Sequence, residues 1–142
     1  MGNGWLILNT LSQEIYKRQM LKNLLLVGLG GGLGSMLRYS TSFAINSKYF
    51  PWPTFAVNII GSFIIGIVFA MSIKDEIFLN NWKLFLGTGI CGGFTTFSAF
   101  SLENMGLLQS GKIGLAFTYM ALSIVLGIAA AFLGYWCVSR EW

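Results

Sequence analysis

The sequence predicts an all-α membrane protein with four transmembrane helices, and three observations carry that prediction. Hydrophobic residues make up 55% of the 142 residues and charged ones only 10%, where a soluble domain has about 25% charged residues. Mean hydropathy is correspondingly high, at +0.69. Two stretches, 52–73 and 113–139, run without a single charge, and each is long enough to cross a hydrocarbon core of about 30 Å at about 1.5 Å per residue. Two further apolar segments contain glycine-rich motifs: GLGGGLGS from Gly28 and GGFTTFSAFSLE from Gly92. The length allows one domain. The net charge of +4 bears on orientation and lipid headgroups, since so few dispersed basic residues are a poor match to nucleic acid. Cys91 and Cys137 lie in apolar surroundings without metal-ligand spacing, and the chain has no histidine; both read as small buried hydrophobes.

Residues 1–19 form a polar-apolar extension. The run from Trp5 to Leu11 is too short to span, so the extension reads as an interfacial helix or as sequence upstream of a start at Met20. The first span covers about 21–45. In it Gly28/Gly32, Gly30/Gly34 and Gly31/Ser35 have the spacing that lets helices approach closely. A dinucleotide fingerprint fails, because the third glycine would have to stand at Leu33. Arg38 either snorkels to the headgroups or faces an aqueous vestibule.

Pro51 and Pro53 open the second span, about 52–73, where the first-turn amides lack partners anyway. Asn58 is its unusual member, because a buried amide costs energy unless it is paired. Thr54 stands one turn before it and Ser62 one turn after, which suggests a lined path; an interhelical hydrogen bond is the plainer alternative. Lys74, Asp75, Glu76, Asn80, Asn81 and Lys83 form the second loop.

The third span, about 82–108, holds GGFTTFSAFSLE. Gly92 and Gly93 weaken the helix, and the threonines offer hydroxyls to freed backbone groups. The stretch therefore predicts a helix broken in the middle, with Phe97 and Phe100 on one face of the resumed helix. A continuous, glycine-packed helix with ordinary core phenylalanines is the alternative. Glu103 ends the apolar part. The fourth span, about 113–138, places Tyr119 and Ser123 one turn apart, and Trp136 and Trp142 suit an interfacial belt. Counted from Met20, Lys22, Lys74, Lys83 and Arg140 lie on one side of the membrane and Arg38, Lys48 and Lys112 on the other. That balance is too even to fix an orientation.

GGGLGSMLRY in the first span, TFAVNIIGSFIIG in the second and GGFTTFSAFSLEN in the third resemble the small fluoride channels of the Fluc (CrcB) family, from Met20 onward. The resemblance implies a subunit that pairs antiparallel, giving a dual-topology homodimer with two pores in the bacterial inner membrane. It also implies passive export of fluoride rather than enzyme chemistry. By the same resemblance Phe97, Phe100, Asn58, Thr54, Ser98, Tyr119 and Ser123 line the fluoride pathway, Arg38 and Glu103 belong to the vestibule, and the backbone carbonyls of Gly92 and Thr95 from both subunits hold a structural sodium ion at the dimer centre. Where the family often has threonine, Ala99 stands here. A proton- or cation-coupled small dual-topology exporter remains the alternative; it needs a carboxylate deep in a span, and Glu103 near a helix end is a poor candidate.

Overall fold

A computed structural model of the chain describes residues 3–45, 47, 49–74 and 81–140. Lys48, Asp75, Glu76, Asn80 and Trp142, named above, lie outside the described residues. The described residues form helices joined by short connections. α1 is Asn3–Ala44, α2 is Trp52–Lys74, a π-helix covers Lys83–Cys91 and an α-helical turn follows at Gly92–Phe94, α3 is Phe97–Gln109, and α4 is Ile113–Ser139. Four segments are long and apolar enough to cross a membrane: Ile7–Ala44, Trp52–Ile73, Lys83–Gln109 and Ile113–Ser139.

α1 differs from the expected start near residue 21. It is one helix of 42 residues, about 63 Å long, because nothing from Trp5 to Val27 is glycine or proline and no residue ends the helix before the span. Near its other end, Ser40, Thr41 and Ser42 each donate to the carbonyl four residues back, which satisfies three hydroxyls that the apolar surroundings would otherwise penalise. The chain then turns through a knot of aromatic rings. Ser47 donates to the Phe50 carbonyl, as does the Trp52 amide, and the Phe50 ring lies 4.6 Å from Trp52 and 5.5 Å from Phe55.

Helix contact is made through backbone. A Cβ at Gly34 would collide with the Ile90 carbonyl, and one at Gly30 with the Phe85 carbonyl, so the glycine face of α1 is used inside the protomer against the π-helix. α2 and α4 form the most extensive pair on the same principle: Gly134 meets the Phe63 carbonyl, and Gly66 meets the Ala131 carbonyl. The π-helix was not legible in the sequence. Its wider turn re-aims the residues that follow, and such segments are frequent at functional sites.

Between Phe94 and Phe97 the backbone leaves helical geometry. Thr95 has φ −78° and ψ 157°, and Thr96 has φ −153° and ψ 115°. α3 runs on to Gln109, with Ser110 as its C-cap. Gly111, at φ 75°, makes the left-handed turn into α4, a conformation a side chain at that position would resist.

Candidate functional site

The site is built around that two-residue interruption. The Thr96 amide would return to the Gly92 carbonyl in an unbroken helix. Instead it donates to Asn58 Oδ1 at 2.8 Å, while Asn58 Nδ2 donates back to the Thr96 carbonyl at 3.3 Å. The Ala99 amide, whose helical acceptor would be the Thr95 carbonyl, donates to Thr96 Oγ1 at 3.1 Å. Thr96 is thus the N-cap of α3, and Asn58 on α2 clamps its backbone from the side. These captures deprive the Gly92 and Thr95 carbonyls of their helical donors. Thr95 faces back along the chain, with both its amide and its hydroxyl given to the Cys91 carbonyl at 2.9 Å. A cleft of about 380 Å³ opens here, lined by Asn58, Ser62, Cys91, Gly92, Thr95 and Phe97.

One turn along α2 lies a second cluster. Thr54 Oγ1 donates to Glu103 Oε1 at 2.5 Å, and Tyr119 OH donates to Glu103 Oε2 at 2.8 Å. One carboxylate therefore joins α2, α3 and α4. Thr54 is 6% exposed and Tyr119 fully buried. The Tyr119 ring is enclosed by Phe50 at 5.2 Å, Phe55 at 6.4 Å and Phe100 at 5.0 Å, the first and last edge-on. Edge-on rings turn their positive rims toward a neighbour. Glu103 also lines a wider cleft of about 590 Å³ shared with Ser42, Ser47, Tyr49, Phe50 and Gly106.

The residues singled out in the sequence fall into these two groups. Thr54, Phe100, Glu103 and Tyr119 meet in one; Asn58, Thr95, Phe97 and Ser98 surround the other, with the Ser98 hydroxyl 3.1 Å from that of Thr96. The Phe97 ring lies 5.7 Å from Phe100 but is 79% exposed on the single chain. Ser123, one turn beyond Tyr119, has a buried hydroxyl without a hydrogen-bond partner among the described residues. Arg38 is half-buried on α1, and no hydrogen bond or ion pair joins it to Glu103. Among the described residues no group of histidine, cysteine or acidic side chains is placed to hold a metal.

Sequence reasoning missed Thr96. The signal was present, since a threonine just before a resumed helix is a preferred N-cap. Asn104 was missed as well; it is 6% exposed, donates to the Phe100 carbonyl at 2.8 Å and leaves its Oδ1 without a partner among the described residues.

Four apolar helices around a seam of hydroxyls, an amide and one carboxylate define a multi-pass membrane protein. It has relatives in bacteria. The family model for CrcB-like protein, Camphor Resistance (CrcB), matches residues 25–135, and the chain belongs to that family. It is 47% identical over 119 residues to a protein of Azobacteroides pseudotrichonymphae, covering 82% of this chain and 95% of that one. To a protein of Flavobacterium psychrophilum it is 49% identical over 118 residues, covering 80% and 94%. To one of Thermus thermophilus it is 46% identical over 114 residues, covering 78% and 90%. All three relatives carry the name fluoride-specific ion channel FluC, which is the name of a channel and not of an enzyme.

Proposed function

We propose that the chain is the subunit of a fluoride channel that lets the ion pass down its gradient across the bacterial inner membrane. The carrying observation is the buried Ser123 hydroxyl, without a hydrogen-bond partner among the described residues and one turn from the edge-on cluster of Tyr119 and Phe100. A polar group left unpaired at such depth is costly unless something visits it. Fluoride is small and strongly hydrated, so a narrow path must replace its water with donors and positive ring edges. Thr54, Asn58, Ser98, Tyr119 and Ser123 supply the polar groups of that path, and Phe97 and Phe100 the ring edges. Chloride is too large for a tight series of such places.

In this reading two copies pair antiparallel, each contributing to two pores. The exposure of Phe97 supports pairing, since a ring meant for a pathway needs a second wall. The residues also fit a structural sodium ion between the copies. The helix interruption turns the Gly92 and Thr95 carbonyls loose, and a Cβ built at Gly92 meets nothing within 4 Å, so that face is open to approach. Backbone oxygens are the ligands a hard cation takes without added carboxylates.

One observation favours a second reading. Glu103 is partly buried and held by two hydroxyls, which is the setting a coupled exporter would use for its carboxylate. Fluoride efflux from liposomes holding only the purified protein, with no proton or cation gradient, separates the two. Sustained passive efflux is expected; efflux that appears only with an imposed gradient would select the exporter.

A further inference from the structure

Each hydroxyl has one proton to donate, and the Thr54 and Tyr119 protons are both given to Glu103. Both residues are buried, so water offers neither hydroxyl an alternative acceptor. Neither donor is therefore free for a passing anion while the carboxylate stays. Glu103 makes no ion pair among the described residues, so its charge is held at this place by hydroxyls alone. On its open side lies the cleft of about 590 Å³, room into which the side chain can swing.

We propose that the Glu103 carboxylate is a tethered anion that occupies the Thr54 and Tyr119 hydroxyls in place of fluoride, and that an ion uses this end of the path only by displacing it. The inference rests on the channel reading. Two negative charges do not share the position, because repulsion between them grows as the dielectric falls. Occupancy is therefore alternate: carboxylate on the hydroxyls, or fluoride on the hydroxyls with the carboxylate in the cleft. The exchange also selects. A carboxylate oxygen is a strong, compact acceptor, and charge-assisted hydrogen bonds to it are roughly twice as strong as neutral ones. Fluoride matches it as an acceptor. Chloride, larger and weaker, does not release the tether. Glu103 thereby becomes a specificity-determining residue rather than an obstacle.

The test compares wild-type protein with Glu103→Gln in liposome flux assays over a range of fluoride concentrations. Glutamine replaces one of the two oxygens that Thr54 and Tyr119 use separately with an NH2 donor, and it carries no charge. Its half-saturating fluoride concentration is expected to fall about tenfold, the worth of one charge-assisted hydrogen bond, and chloride flux to become measurable. An unchanged half-saturation with chloride still excluded would overturn the proposal. A second measurement does not depend on how that variant folds. With Glu14, Glu76 and Glu141 changed to Gln, Glu103 is the one remaining glutamate. Infrared difference spectra of this protein carrying 13C-labelled glutamate should show the carboxylate band shift when fluoride is added and stay still when chloride is added. A band indifferent to fluoride overturns the tether. Absence of passive flux in the wild-type protein would bring down the channel reading and this inference together. Flux without any carboxylate response brings down this inference alone.

Discussion

Asn58 uses both ends of its amide on the backbone of one residue, and that fixes what its substitutions do. Asn58→Leu removes both hydrogen bonds and strands the Thr96 amide, at a cost of about 1–3 kcal/mol. Asn58→Asp keeps the acceptor and loses the donor, so its melting temperature should fall between the two. Fluorescence-detected size exclusion after heating checks the order; equal melting for all three proteins would mean that the clamp contributes nothing. Phe97 and Phe100 separate differently. Isoleucine keeps much of the volume and loses the ring edge, so either substitution should reduce fluoride flux severely. Phe100→Ile should also lower the melting temperature, because Phe100 packs on buried Tyr119. Wild-type flux in both variants would return the two rings to ordinary packing. Most of these residues were legible one by one, since an asparagine, a threonine or a glutamate is conspicuous in an apolar run. Their partnerships were not. Thr54 and Glu103 are 49 residues apart, Asn58 and Thr96 38, and no local pattern records such a meeting.

Among the elements, the glycine motif of α1 splits into two faces with opposite expectations. Gly30→Ala and Gly34→Ala drive a methyl group into the backbone of the π-helix and should destabilise the protomer. At Gly28 and Gly32 a Cβ meets nothing within 4 Å, and alanine there should be neutral or stabilising by about 0.5–1 kcal/mol through helix propensity. Thermal unfolding of the four variants tests this; a large loss at Gly28 or Gly32 would reveal another surface on that side. For the interruption itself, dimer stability should depend on sodium and not on lithium or potassium, while truncating the Thr95 side chain should matter little to the ion's affinity. Equal behaviour in the three salts would count against a specific ion. The bounds of α2 and α4 were legible because prolines and charges punctuate those runs sharply. The π-helix was hidden, because its residues, Lys83–Cys91, carry the same apolar and glycine content as an α-helix would. The continuity of α1 was hidden too, since polarity marks where a membrane ends and not where a helix does.

At the scale of the whole molecule, the four-to-three division of lysine and arginine counted from Met20 is what a subunit inserting both ways would show, whereas counting Lys17 and Arg18 makes it six to three. Cysteine labels at Lys48 and at Asn80, with Cys91 and Cys137 replaced, should each react in part from outside the cell. Two lysines added to the second loop should hold that loop inside and leave most copies parallel. Fluoride export should then fall with every pathway residue intact, and co-expression of an oppositely biased copy should restore it. Normal export by a variant whose labelling is single-sided would rule out the antiparallel pair. The Asn58–Thr96 clamp has a further consequence, for the order of events during synthesis. Asn58 leaves the ribosome 38 residues ahead of Thr96, so its amide is already within the bilayer when the third span arrives. Lipid offers that arriving segment no partner for an opened turn, and on entry it does best with its hydrogen bonds closed along its own length. Docking against α2 supplies the Asn58 amide that pairs the opened turn. The kink is therefore completed by assembly: a nascent chain stalled before the second and third spans meet would lack the Asn58 clamp on the turn at Thr96 that the finished protein carries.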